Sequence, residues 1–173
     1  MYTVIRPWTL SDVKELAAVI NNPHILNNLR DGLPYPYTER DAAEFISSVL
    51  DADKSSLFAF TISHNGHCAG SITVTRNVNV HRLTGELGYY VAEPCWGLGL
   101  ATRAVSEICD FVFTNSDIIR IYAEPFAYNS ASCRVLEKCG FSCEGVLRNN
   151  VIKNGKIYDT MLYARLKAQD KTF

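Results

Sequence analysis

A chain of 173 residues, 47% hydrophobic and 20% charged, is long enough to close a core of its own and is read as one domain over residues 1–173. Its formal net charge of −1 gives no basic field for nucleic acid or for an anionic membrane surface. Met1 to Arg6 is not a basic segment leading into an apolar run, and no apolar run reaches the roughly 18 residues of a membrane span, so a cytoplasmic protein is expected.

Tyr2 to Arg6 reads as a first strand that ends at Pro7. Thr9-Leu10-Ser11-Asp12 has the form of a capping box and leads into Val13, Leu16, Ala17 and Ile20 at helical spacing, until Asn22-Pro23 interrupts. Gly32 to Tyr37 is an aromatic, proline-stiffened loop. A second capping box, Thr38-Glu39-Arg40-Asp41, then opens a helix with Ala42, Phe45, Ile46 and Val49 on one face. Leu57–Ser63 and Cys68–Thr75 are strands joined around Asn65-Gly66, a hairpin signal. Arg76 to Leu83 is polar and read as a loop, and Gly85–Val91 is a third strand of this group. After Pro94 and a glycine segment, Ala101, Val105, Ile108, Cys109, Val112 and Phe113 give a helix. Ile118–Glu124 is a strand, and Ser130–Cys139 a short helix with Gly140 as its C-terminal stop. Val146–Ile152 and Lys156–Leu166 form a last pair of strands around Asn154-Gly155. No repeat or Gly/Ser-rich linker divides the chain. The pattern predicts an α/β (α+β) fold with a mixed, mostly antiparallel sheet of about seven strands and about four helices.

Six cysteines, at positions 68, 95, 109, 133, 139 and 143, form no C-x-x-C pair, and no histidine pair has zinc-finger spacing. They are expected as reduced thiols acting as small hydrophobes, with no metal bound.

The segment Cys95-Trp96-Gly97-Leu98-Gly99-Leu100-Ala101-Thr102 lies between a strand and a helix. Small residues at alternate positions suit close backbone approach to a phosphate at a helix N-terminus, and they equally suit a turn that lets the helix pack on the sheet. The P-loop pattern G-x-x-x-x-G-K-[ST] does not occur. The dinucleotide pattern G-x-G-x-x-G fails because Thr102 takes the last glycine position and Asp117 precedes the second strand instead of ending it.

What remains is x-x-x-G-x-[GA], here Trp96-Gly97-Leu98-Gly99-Leu100-Ala101. It resembles the acyl-coenzyme A loop of the GNAT superfamily of N-acetyltransferases, whose usual form has Gln or Arg where this chain has Trp96. Asn129-Ser130-Ala131-Ser132-Cys133-Arg134-Val135-Leu136-Glu137-Lys138-Cys139-Gly140-Phe141 is similar to the N-x-x-S-x-x-[VL]-x-E-K-x-G-F signature of the RimJ/RimL-like branch, which includes ribosomal-protein N-terminal acetyltransferases. Pro34 to Thr38 and Gly85 to Tyr90 resemble that branch too.

The resemblance implies a GNAT fold and acetyl-CoA as co-substrate. Gly97, Leu98, Gly99, Leu100, Ala101 and Thr102, with Trp96 before them, would cradle the pyrophosphate, and Arg103 either adds charge there or faces solvent. The backbone at Tyr90 and Val91 would meet the pantetheine arm, with Asn129 fixing that arm through its amide. An amine acceptor needs a base, and Glu86, ten positions before Trp96, matches the family's placement. Alternation puts Glu86, Gly88 and Tyr90 on one face of the strand and Leu87, Tyr89 and Val91 on the other. The alternative is a solvated carboxylate paired with an arginine such as Arg82. Many relatives carry a tyrosine as thiolate donor where this chain has Leu136. Ser132 is the substitute the branch suggests, with Tyr128 as another, although Ser132 or Ser130 can equally cap the helix. Cys133 is expected to be inert. Tyr35, Tyr37, Asn150 and Lys153 are candidate acceptor walls. The favoured acceptor is a peptide or protein N-terminal α-amine. A small-molecule amine acetyltransferase and a non-catalytic coenzyme A sensor are the alternatives, and a homodimer is open.

Overall fold

The computed structural model describes residues 3–168, so Tyr2 of the expected first strand lies outside them. In chain order the elements are β1 (Ile5–Arg6), α1 (Val13–Ile20), α2 (Pro23–Leu26), α3 (Glu39–Asp51), β2 (Leu57–His64), β3 (His67–Arg76), β4 (Thr84–Val91), α4 (Leu100–Asn115), β5 (Arg120–Ala123), α5 (Ser130–Lys138), β6 (Ser142–Lys153) and β7 (Lys156–Leu166). Short 3-10 turns stand at Leu10–Asp12, Asn79–His81 and Glu93–Cys95. One seven-stranded sheet runs β1-β2-β3-β4-β5-β7-β6, and its one parallel pair is β4 with β5.

Both capping boxes form. The Asp12 carboxylate accepts from the Thr9 N–H at 3.0 Å and also takes two nitrogens of Arg6, at 2.9 and 2.7 Å. Asp41 accepts from the Thr38 N–H at 2.7 Å. Pro23 does more than interrupt the first helix. Asn22 accepts from the His24 N–H at 2.8 Å and starts α2, which makes the fifth helix where about four were expected. The last hairpin also departs from its simple reading. β6 begins at Ser142, four residues earlier than the alternation suggests, because bulges between Cys143 and Gly145 and between Leu147 and Val151 break its period. At the second bulge Asn149 has φ +50° and donates its N–H to Asp159 at 2.8 Å.

The sheet is covered on both faces. On one, Leu100, Ala104, Val105, Ile108 and Val112 of α4 bury against Phe58, Ile72, Val74, Leu87 and Ile121, with Leu136 of α5 in the same core. On the other, Leu16 and Ile20 of α1 and Ala42 and Ile46 of α3 pack with Trp8, Tyr37 and Cys68, and Tyr90 leans on them. β4 therefore sits between two cores, and its alternating side chains separate as expected. Among the described residues no helix is long and apolar enough to cross a membrane.

β3 holds β4 at close range through Gly70. A Cβ at that position would stand 2.2 Å from the Tyr90 carbonyl oxygen, which is strand backbone and cannot swing away. Gly70→Ala is expected to destabilise by about 1–3 kcal/mol, as overpacking does, and to lower the melting temperature by roughly 3–10 °C. Thermal unfolding followed by circular dichroism checks this, and an unchanged melting temperature would contradict it.

Candidate functional site

β4 and β5 pair only from Thr84 to Glu86 against Arg120 to Tyr122. Beyond Glu86 the two strands part, while β4 continues to pair with β3 as far as Val91. The Ala92 N–H donates to Ala69 on the β3 side at 2.7 Å, and Asn77 donates to the Thr84 carbonyl on that same side at 3.0 Å. Backbone groups alternate along a strand, so those of Leu87, Tyr89 and Val91 face the opening and those of Gly88 and Tyr90 face β3. A cleft of about 900 Å³ fills this opening. It runs from Gly97, Gly99 and Thr102 past Val91, Asn129 and Ser132 to Glu86, Arg30 and Tyr37.

At one end stands the N-terminus of α4. Gly97 and Gly99 both adopt left-handed backbone, φ +77° and +74°, and a Cβ on either would project into open space. The first helical bond runs from the Arg103 N–H to the Gly99 carbonyl at 3.1 Å, and α4 has no side-chain cap. The N–H groups of Leu100, Ala101 and Thr102 thus lack a helical acceptor and point at the end of the cleft with the positive end of the helix dipole. Such a cradle fits a diphosphate. Trp96 replaces the usual polar residue with a strut: its indole N–H donates to the Val91 carbonyl at 2.7 Å, while the ring remains 48% exposed. Leu98 is exposed on the loop and Arg103 on the first turn.

At the middle of the cleft the first turn of α5 is capped by Asn129, whose side-chain oxygen accepts from the Ser132 N–H at 3.1 Å. Neither Ser130 nor Ser132 is needed as a cap. The Ser132 hydroxyl instead lies 2.8 Å from the hydroxyl of Tyr89. Tyr128 is drawn away, donating to the Asn27 carbonyl at 2.5 Å and stacking on Phe126 with ring centroids 5.1 Å apart. Leu136 is fully buried. Burial raises the Cys133 thiol above its ordinary range, as befits an inert group.

At the far end Glu86 is half-buried, and Arg30, not Arg82, is its partner, donating from Nη2 to Oε1. The same nitrogen is 3.9 Å from Glu124 Oε2. Burial opposes the charge of Arg30, and the two carboxylates outweigh that, so its pKa lies above the ordinary value. Of the four expected acceptor walls, Tyr37 alone lines the cleft. It is buried, with its backbone held by Asn21 at 2.8 and 2.6 Å. Tyr35 is 67% exposed. Asn150 donates to Thr160 at 2.8 Å, and the buried Lys153 reaches Asp31 at 2.6 Å, so both side chains are engaged and neither is part of the cleft lining. Arg30, Glu124 and Tyr89 escaped sequence reasoning. Tyr89 alone left a signal, its place on the strand face opposite Glu86.

The acetyltransferase (GNAT) domain family matches residues 3–142. Among known proteins, the uncharacterized N-acetyltransferase YoaA of Bacillus subtilis is 38% identical over 85 residues, covering 49% of this chain and 48% of that protein, so the match spans about half of its length. The probable N-acetyltransferase YjcK of the same organism is 30% identical over 122 residues, 70% of this chain and 67% of that one. Spermidine N(1)-acetyltransferase of Escherichia coli is 27% identical over 155 residues, 88% and 79% of the two chains. The solved ribosomal-protein-S5-alanine acetyltransferase of Vibrio fischeri shares the fold with a TM-score of 0.85 at 21% identity, over 96% of this chain and 95% of that one. RimL, a ribosomal L7/L12 alpha-N-protein acetyltransferase solved with coenzyme A, gives 0.81 at 20% identity, over 94% and 92%.

The buried ammonium of Lys153 is expected to fix the loop bearing Asp31. Lys153→Met should speed amide hydrogen exchange at residues 28–33 by roughly 3- to 10-fold, the effect of losing about 1 kcal/mol, and leave β4 amides unchanged. Exchange followed by mass spectrometry tests this, and equal rates in both proteins would show that the pair fastens nothing.

Proposed function

The chain belongs to the GNAT acetyltransferase family, and we propose that it moves the acetyl group of acetyl-CoA onto a primary amine, with a peptide or protein N-terminal α-amine as the favoured acceptor. The observation that carries this reading is the parting of β4 and β5, which joins a diphosphate cradle at Gly97–Thr102 to the carboxylate of Glu86 in one cleft.

Acetyl-CoA supplies the acyl group in activated form, as a thioester. The N–H groups from Gly97 to Thr102 hold its pyrophosphate, and Arg103 adds positive charge beside them. Asn129 uses its oxygen as a cap and keeps its amide N–H groups for the pantetheine arm. The Val91 N–H, on the free edge of β4, polarises the thioester oxygen in this reading. Glu86 Oε1 is committed to Arg30, which leaves Oε2 to take the amine proton directly or through a water. Ser132 donates to the departing sulfur.

An α-amine with a pKa near 8 offers its neutral form at pH 7 about two hundred times more often than an amine near 10.4, so it asks less of the base. The resemblance of residues 129–141 to the RimJ/RimL-like branch supports the same acceptor, as does the shared fold with two ribosomal-protein acetyltransferases. A polyamine is the second reading. It is favoured by the two carboxylates, Glu86 and Glu124, that share Arg30 at this end of the cleft, and by the likeness to spermidine acetyltransferase.

Release of free thiol from acetyl-CoA over a panel of N-terminal peptides and polyamines separates the two. Turnover on peptides alone is expected, turnover on spermidine alone would reverse the choice, and binding with no turnover would indicate a sensor. Glu86→Gln is expected to lower kcat by about 10²- to 10⁴-fold, and an unchanged kcat would remove Glu86 from the chemistry. Gly99→Trp is expected to abolish coenzyme A binding in calorimetry, because the side chain fills the cradle and strains a left-handed residue.

A further inference from the structure

Tyr89 has no part in the chemistry assigned above, yet its side chain enters the cleft beside Ser132 and Val91. It comes from β4, on the face toward α4 and α5, and packs against the main core. Its hydroxyl lies 2.8 Å from Ser132 Oγ, where either oxygen can be the donor, and 3.3 Å from the Ser132 carbonyl, the longer of the two contacts. Two hydroxyls therefore meet at the first turn of α5. One turn further along that helix, Leu136 is buried and can donate nothing.

The hydrogen-bonding inventory decides what this pair can do. A hydroxyl has one proton to give. Asn129 already caps α5, so the Ser132 hydroxyl is free of helix duty. When Tyr89 donates to Ser132 Oγ, the serine proton is left to point elsewhere, and the open side of that turn is the cleft. Burial pushes the Tyr89 phenol above its ordinary value, partly opposed by the Ser132 hydrogen bond, so the phenol remains a donor throughout the working pH range. Donation into a hydroxyl also polarises it and strengthens the bond it makes in turn.

We infer that Tyr89 is a positioning residue for departure of the coenzyme A thiolate, aiming the Ser132 proton at the sulfur and supplying from the strand the phenol that the helix lacks at Leu136. The inference rests on the role of Ser132 proposed above. The C–S bond breaks with its electron pair left on sulfur, the Ser132 hydrogen bond stabilises that charge, and sulfur then takes a proton from solvent. The amine proton leaves through Glu86 to solvent, so neither Tyr89 nor Ser132 changes covalently.

The central measurement, a titration, needs no acceptor. Ultraviolet absorbance of the thiolate, with the desulfo-coenzyme A complex as blank, titrates the thiol of coenzyme A bound to the full chain. Bound to the natural protein, the thiol should ionise at lower pH than in free solution, since a donor to the charged form favours it. Tyr89→Phe is expected to move the titration back toward the free value by roughly 0.5–1 pH unit, a three- to ten-fold loss of thiolate at a given pH. Ser132→Ala should move it at least as far, and the double variant no further. Calorimetry should show desulfo-coenzyme A bound equally by all four proteins, and kcat should fall in Tyr89→Phe with KM for acetyl-CoA unchanged. If Ser132→Ala shifts the titration and Tyr89→Phe does not, the positioning role fails and the Ser132 role stands. If Ser132→Ala titrates as the natural protein does, both fail. Were Tyr89→Phe unstable, 3-fluorotyrosine at position 89 keeps ring and hydroxyl and is the stronger donor. It should move the titration the opposite way, and no movement would overturn the inference.

Discussion

The site hangs on where β4 and β5 stop pairing. Three residue pairs hold them together, and Glu86 is in the last. A parallel pair is the less stable kind of strand contact, and this one sits in an otherwise antiparallel sheet, between strands secured on their outer sides by β3 and β7. Past Ala123 the chain reaches Pro125, which has no N–H to give to a ladder. β4 cannot follow β5 away, because β3 grips it to Val91 and α4 packs beneath Leu87 and Val91. The result is a strand whose edge groups at Leu87 and Tyr89 face a cleft with the Val91 N–H, the Val91 carbonyl being taken by Trp96. Edge groups left bare are costly when buried, so a polar ligand that satisfies them is stabilised in return.

The two ends of the cleft are built from different physics. The α4 end is backbone: left-handed glycines, uncapped N–H groups and a dipole, with Trp96 fixing the loop to β4. The Glu86 end is side-chain charge, with one guanidinium shared between two carboxylates. Between them lies a hydroxyl pair from two elements. A backbone cradle tolerates changes of side chain at most positions, whereas the charged end alters with a single substitution.

Sequence reading recovered what local chemistry specifies. Capping boxes at Thr9 and Thr38, hairpin turns at Asn65-Gly66 and Asn154-Gly155, and the alternation of Glu86 to Val91 all lie where short-range rules put them. The glycine segment and residues 129–141 were legible as motifs. What escaped depends on contacts made across long stretches of chain. Arg30 reaches Glu86 from 56 positions away, Tyr89 meets Ser132 across 43, and Lys153 finds Asp31 across 122. No periodicity encodes such meetings. β6 was misread in extent for a different reason: its bulges reset the alternation from which a strand is recognised.

Besides the pairing of Arg30 with Glu86 and Glu124, the loop from Asn27 to Asp31 is held by three hydrogen bonds from later in the chain: Tyr128 to the Asn27 carbonyl, Asn154 to the Asn27 side chain and Lys153 to Asp31. All three come from the segment after β5 or from the final hairpin, and none from the glycine loop. The two ends of the cleft are in this sense separately anchored parts. Substitutions at the hairpin tip can reshape what enters beside Glu86 without disturbing a single backbone amide at Gly97 to Thr102. The same hairpin thus governs one end of the cleft and has no hold on the other.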